Sequence, residues 1–165
     1  MIIVALVVSG SVAGSAFSQN SKPKEKISKL LAVGEIAPEW QLTDAEGKVH
    51  SLSEYRGTVV VMDFWATWCG PCAEVMPRMQ KLHEKYKDRG VEVFGVNAWE
   101  KEDPLTLMRK KHYTYGLLLK GEEIADRYGI SLLPVVYIIG ADGRILYRHE
   151  GVAKDFATVI EKQLQ

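Results

Sequence analysis

Cysteine is scarce in this chain, with two in 165 residues, and that alone excludes a disulfide-dense secreted scaffold. An excess of one charge is also missing. Lys plus Arg and Asp plus Glu both number 21, and the pI is near 6.9. Such a balance carries no electrostatic footprint for nucleic acid, so no nucleic-acid partner is expected. There is no internal repeat and no low-complexity stretch, which excludes solenoids and collagen-like or mucin-like segments. What is present is ordinary for a globular chain: 47% hydrophobic and 25% charged residues. The length is about that of one domain, and a fold of this size buries about two-thirds of its unfolded surface without staples.

Residues 1–21 carry no charged side chain. Ile2 to Val8 is apolar, and small residues follow up to Ala16-Phe17-Ser18-Gln19. A short apolar run ending in a small-x-small site has the form of a secretory signal, here 1–18, although no Lys or Arg precedes the run. An uncleaved anchor is the alternative, weakened by Ser9, Gly10, Ser11, Gly14 and Ser15, since a span needs about 20 predominantly apolar residues. Residues 19–33 read as a polar linker with Lys22, Lys24, Lys26 and Lys29. The folded domain is then 34–165, exported to the periplasm or the outer face of the membrane.

Pro38 to Leu52 alternates as a hairpin about Asp44-Ala45-Glu46-Gly47. Thr58 to Trp65 is a β-branched run suited to a strand covered on both faces, interrupted by one acid, Asp63. Val75, Met79, Leu82 and Tyr86 mark one face of a helix over Gly70 to Arg89, with a kink expected at Pro77 and Gly90 as its stop. Val91 to Asn97 completes a strand–helix–strand unit, parallel and right-handed by rule. Asp103-Pro104 opens a second helix, and Glu122 to Tyr128 forms a third. A hairpin of Val135 to Ile139 with Arg144 to Arg148 and a closing helix of Phe156 to Leu164 follow. The sum is an α/β fold, a central mixed β-sheet flanked by helices.

Both cysteines fall in Trp68-Cys69-Gly70-Pro71-Cys72, where a strand hands over to a helix. At a helix start the first sulfur, Cys69, meets free backbone amides and the positive end of the helix dipole, both of which favour its thiolate. A thiol of ordinary pKa is only about 3% ionised at pH 7, and lowering the pKa to about 7 ionises roughly half. Cys72, further into the helix, is placed to resolve a mixed disulfide formed by Cys69. A structural zinc needs four ligands, and His50, His83, His112 and His149 stand singly, so no metal and no cofactor are expected. A permanent disulfide over so short a loop stabilises little. A peroxidatic cysteine usually has Thr three before it and Pro seven before it, where this chain has Ala66 and Met62.

These motifs resemble the thioredoxin superfamily. Ile36-Ala37-Pro38 through Gly57, Asp63 to Cys69, Tyr128 to Pro134 and Ile138 to Ile145 are similar to its exported TlpA/ResA-like, AhpC/TSA-type branch. The resemblance covers about residues 34–164. It implies a thioredoxin fold with an N-terminal β-hairpin and a helical insertion over Trp99–Tyr128, and a cis peptide bond before Pro134 facing the cysteines. It further implies thiol–disulfide exchange on disulfide-containing or dithiol polypeptides, which pair with the backbone beside that proline as an added strand does. Trp68, Gly70, Pro71, Leu133 and Pro134 are then substrate-binding. Asp63 stands where many of these relatives have Asn and is similar to the buried acid of cytosolic thioredoxin, so a proton-transfer role at Cys72 is carried over. Val75 stands where a Glu is common, with Glu74 one position early, so that acid's role is not carried over. The implied protein is an exported monomeric reductase, for example in cytochrome c maturation, supplied by a membrane thiol-electron carrier. A polypeptide-binding module with an incidental Cys-x-x-Cys and a thiol peroxidase are the alternatives.

Overall fold

A strand buried on both faces must be apolar throughout, and β3, Val59–Trp65, is buried at all seven positions. The computed structural model describes residues 29–152 and 156–165; the signal segment and most of the linker lie outside these residues. β3 pairs in parallel with β4, Val91–Asn97, and antiparallel with β6, Val135–Ile139. β7, Ile145–Glu150, closes one edge against β6. β1, Gln41–Asp44, and β2, Val49–Ser51, form the N-terminal hairpin at the other edge. A seventh strand, β5, Gly116–Leu119, joins the halves, parallel to β4 and antiparallel to β1. The sheet order is β2-β1-β5-β4-β3-β6-β7, a thioredoxin-type mixed sheet with the hairpin added.

Four helices cover the sheet. α1 spans Cys72–Tyr86, α2 Pro104–Lys110, α3 Glu122–Arg127 and α4 Ala157–Gln163. Side chains alternate across β3, so the core divides in two. Val59, Val61 and Trp65 pack with Cys72, Val75, Met79 and Tyr86 of α1, Met108 of α2 and Ile160 of α4. Val60, Met62 and Phe64 pack on the other side with Ile124 and Ala125 of α3, Tyr128, and Trp40 at the entry to the hairpin. By the same alternation Asp63, between Val61 and Trp65, points to the α1 side.

The structure differs from the sequence expectation at two places. The stretch Trp99–Tyr128, expected as a helical insertion, also supplies β5. Its Leu117-Leu118-Leu119 lacks the β-branched signature of a strand, and it is held between β1 and β4 by pairing rather than by propensity. α1 ends at Tyr86, earlier than Gly90. Beyond it Arg89 N–H donates to the Tyr86 carbonyl in a tighter turn, and Gly90 takes φ +75° to lead into β4. Pro77 lies within α1, which continues through it to Tyr86. The cap at α2 is as expected: the Asp103 side chain accepts from Leu105 N–H, and Pro104 opens the helix.

Candidate active site

The parallel register sets Trp65 beside Asn97, so the loops leaving β3 and β4 emerge together at one end of the sheet. Val135 lies opposite Phe64 in the antiparallel register, and continuing it brings Leu133–Pro134 to the same end. That end is where open α/β sheets place their ligands. Cys69 is in the loop after β3, and Cys72 is the first residue of α1. The two form a disulfide with Cα atoms 5.3 Å apart. Cys69 is 6% exposed and Cys72 is fully buried, the asymmetry expected of an attacking and a resolving sulfur. Cys72 N–H points at Cys69 Sγ at 3.3 Å, so the helix start offers Cys69 a backbone donor that favours its thiolate once the bond is reduced.

The Leu133–Pro134 peptide is cis. Pro134 is buried, Leu133 is half-buried between the two core clusters, and Leu132 before it is 63% exposed. On the other side of the cysteines Trp68 is 50% exposed, and Gly70 and Pro71 are both exposed. The sequence-predicted binding residues thus fall in the Cys69 loop and in the loop before β6, both at this end of the sheet. Trp65, by contrast, is fully buried core.

Asp63 is fully buried, and neither carboxylate oxygen has a hydrogen-bond partner among the described residues. Burial pushes its carboxyl up to about 8. A carboxyl titrating there can exchange protons near neutral pH, a property suited to acid–base chemistry.

Sequence reasoning missed the residues that hold the Cys69 loop. Glu100, just beyond β4, accepts from Thr67 N–H at 2.9 Å and Thr67 Oγ1 at 2.6 Å. It also accepts from Asn97 Nδ2 at 2.7 Å and from the backbone amides of Lys101 and Glu102. Burial pushes its carboxyl up, but these donors outweigh burial and bring it down to about 2. Trp68 Nε1 donates to the Trp99 carbonyl at 2.7 Å, and Trp99, at φ 53°, donates its own N–H to Glu122. The residue pair before Cys69 is thereby fastened to the pair after β4. The available signal was positional: an acid immediately after the carboxyl end of a central parallel strand.

Glu100→Ala is expected to cost about 1–3 kcal/mol by freeing donors from a charged acceptor and to lower disulfide-exchange rates several-fold. Because the carboxyl is depressed in the folded state, its contribution is full above the ordinary Glu range and is lost as pH falls toward 2. Urea melts at pH 7 and pH 3 should therefore show a larger wild-type advantage at pH 7.

The sequence pattern of the AhpC/TSA family matches residues 33–148. A thiol-disulfide oxidoreductase ResA of Bacillus cereus is 33% identical over 152 residues, spanning 91% of this chain and 86% of the relative. The ResA of Halalkalibacterium halodurans is 41% identical over 127 residues, 74% of this chain and 70% of its own. Among solved structures, a Chlorobium tepidum protein described as a thiol:disulfide interchange protein DsbE is 29% identical with a TM-score of 0.71. It covers 82% of this chain and 99% of its own. With the Cys69–Cys72 pair at the end of a thioredoxin-type sheet, the chain belongs to the AhpC/TSA family, as a TlpA/ResA-like thiol–disulfide oxidoreductase of the thioredoxin superfamily.

Proposed function

We propose that the chain reduces disulfides in polypeptides, with Cys69 attacking, Cys72 resolving and Asp63 handling the proton. The observation that carries this reading is the asymmetry of the pair: Cys69 in the loop before α1, slightly exposed and facing the Cys72 N–H, and Cys72 fully buried in the core on the face of the sheet that Asp63 shares. In the reduced protein the Cys69 thiolate attacks one sulfur of the substrate disulfide, and the other leaves as a thiolate. Cys72 then passes its proton to Asp63 in its ionised form, the minor population below about pH 8, its sulfur displaces the substrate sulfur bound to Cys69, and the Cys69–Cys72 disulfide closes. The protein loses two electrons and the substrate gains them; the substrate thiolates take up one proton from Asp63 and one from water.

Substrate binding is assigned to Trp68, Gly70, Pro71, Leu133 and Pro134, with the backbone before Pro134 accepting an extended segment as an added strand. Exposed Trp68 and Leu132 favour apolar side chains beside the substrate cysteine. A domain over 34–165 behind an export signal, or an anchor, at 1–18 would put this chemistry in an oxidising compartment, where a reductase needs electrons from a membrane thiol carrier.

Insulin reduction by the protein, recycled with dithiothreitol, tests the activity. Turnover above the dithiothreitol background supports a reductase. Consumption of peroxide at a catalytic rate without insulin turnover would favour a peroxidase instead. Full function in cells of a variant lacking both cysteines would leave only a binding module.

A further inference from the structure

Asp63 is not the only unpaired polar group on its side of the sheet. The Trp65 indole nitrogen and the Tyr115 hydroxyl are also buried without a hydrogen-bond partner among the described residues. All three converge on Gly95. Gly95 pairs with Asp63 across β3 and β4. A Cβ built on Gly95 would lie 2.6 Å from Trp65 Nε1 and 2.9 Å from Tyr115 Cε2. The missing side chain is what lets an indole N–H and a phenol stand next to the position opposite the acid. Two donors and one acceptor, each costly to leave unpaired, therefore share one site in the core.

Asp63 is moved by burial alone, whereas Tyr115 is raised first by burial and then by the Asp63 charge and Tyr113. The phenol thus stays neutral and keeps its proton to donate. On this side of the sheet α1 contributes Cys72 to the core cluster, and Cys72 does not titrate while in the disulfide. β4 brings Gly95, β6 brings Val136, and the approach to β5 brings Tyr115, with the Tyr113 ring tilted at 34° to it and 5.9 Å away. A cavity of about 260 Å³ between α2 and β5 is lined by Tyr113 and Tyr115.

We propose that Tyr115 is a positioning residue for Asp63. Its hydroxyl, together with the Trp65 indole N–H, turns to the Asp63 carboxylate when that group ionises, directly or through one water held among the three. It thereby stabilises the proton-accepting form that the resolving step needs. This rests on the assignment of Asp63 as the proton acceptor for Cys72.

The test is the pH titration of the Asp63 carboxyl carbon by NMR in the oxidised full-length protein, with Asp63→Asn assigning the signal. Tyr115→Phe keeps the ring and removes only the hydroxyl. Loss of a hydrogen bond to the charged form should move the midpoint upward by about one pH unit. Gly95→Ala, which pushes a methyl into both rings, should move it in the same direction. A Tyr115→Phe midpoint equal to the wild type would overturn the proposal, even with altered stability, because a purely structural tyrosine leaves the titration in place. The underlying assignment fails separately: an Asp63→Asn protein that resolves mixed disulfides at the wild-type rate would refute it, whatever the titration shows.

Discussion

Cys69→Ser is expected to abolish insulin reduction, lowering the rate by at least about a thousandfold, to the dithiothreitol background. A serine hydroxyl does not ionise near neutral pH and forms no disulfide, so both the nucleophile and the bond that carries the electrons disappear. Cys72→Ser should give a different failure. The Cys69 sulfur still attacks, but with no resolving thiol the mixed disulfide persists, and the protein accumulates as a covalent adduct with its substrate. Intact-mass measurement under non-reducing conditions reads this directly. The assignment follows the small difference in exposure, 6% for Cys69 and none for Cys72, and the position of Cys69 ahead of the helix start. Adducts formed through Cys72 in a Cys69→Ser protein, at rates matching Cys69 in the Cys72→Ser protein, would reverse the roles.

The second large effect concerns stability. The folded protein holds the Asp63 proton to about pH 8 because of burial, whereas an unfolded Asp releases it near 3.9. Between those values the folded state binds one proton more than the unfolded state, so stability falls as pH rises, by about 1.4 kcal/mol per pH unit. The accumulated cost at pH 7 is about 4 kcal/mol in a domain whose whole stability is of order 5–15 kcal/mol. Above pH 8 this contribution levels off. Asp63→Asn has no proton to release, so its stability, followed by urea unfolding of the oxidised protein, should lack this slope between pH 4 and pH 8. The asparagine protein should also resolve mixed disulfides more slowly at neutral pH. A wild-type profile as flat as that of Asp63→Asn would show that the acid is solvated or paired in solution. A fully buried, unpaired carboxyl group in a protein that must stay folded points to a demand other than stability.

The parts of the fold visible in the sequence were those whose local signal and tertiary role agree. β3 and β4 are β-branched runs covered on both faces, α1 has an apolar stripe at Val75, Met79, Leu82 and Tyr86, and α2 carries its own cap in Asp103. β5 was invisible because Gly116-Leu117-Leu118-Leu119 is extended only by virtue of β1 and β4 on its flanks. The same division runs through the site. Cys69 and Cys72 announce themselves by spacing, and Asp63 by being the one acid in an apolar strand. Glu100, Trp99, Glu122 and Tyr115 act through contacts 23 to 52 positions apart in sequence, among them Glu100 with Thr67, Trp99 with Trp68 and Glu122, and Tyr115 with Asp63. Such contacts depend on the register of β3 against β4 and on the left-handed turn at Trp99, which no local pattern encodes. The cis bond at Pro134 was expected from family resemblance, since local sequence gives an X-Pro bond only about a 5% chance of it.

The reduction potential of the Cys69–Cys72 pair is the most direct test of a protein that gives electrons to polypeptide disulfides. Equilibration with dithiothreitol or glutathione buffers, read by the fluorescence of Trp65 and Trp68 beside the pair, supplies it. A value near that of thioredoxin, about −270 mV, is expected. A value near −120 mV, that of a strong disulfide donor, would reverse the direction of the reaction and contradict the assignment as a reductase.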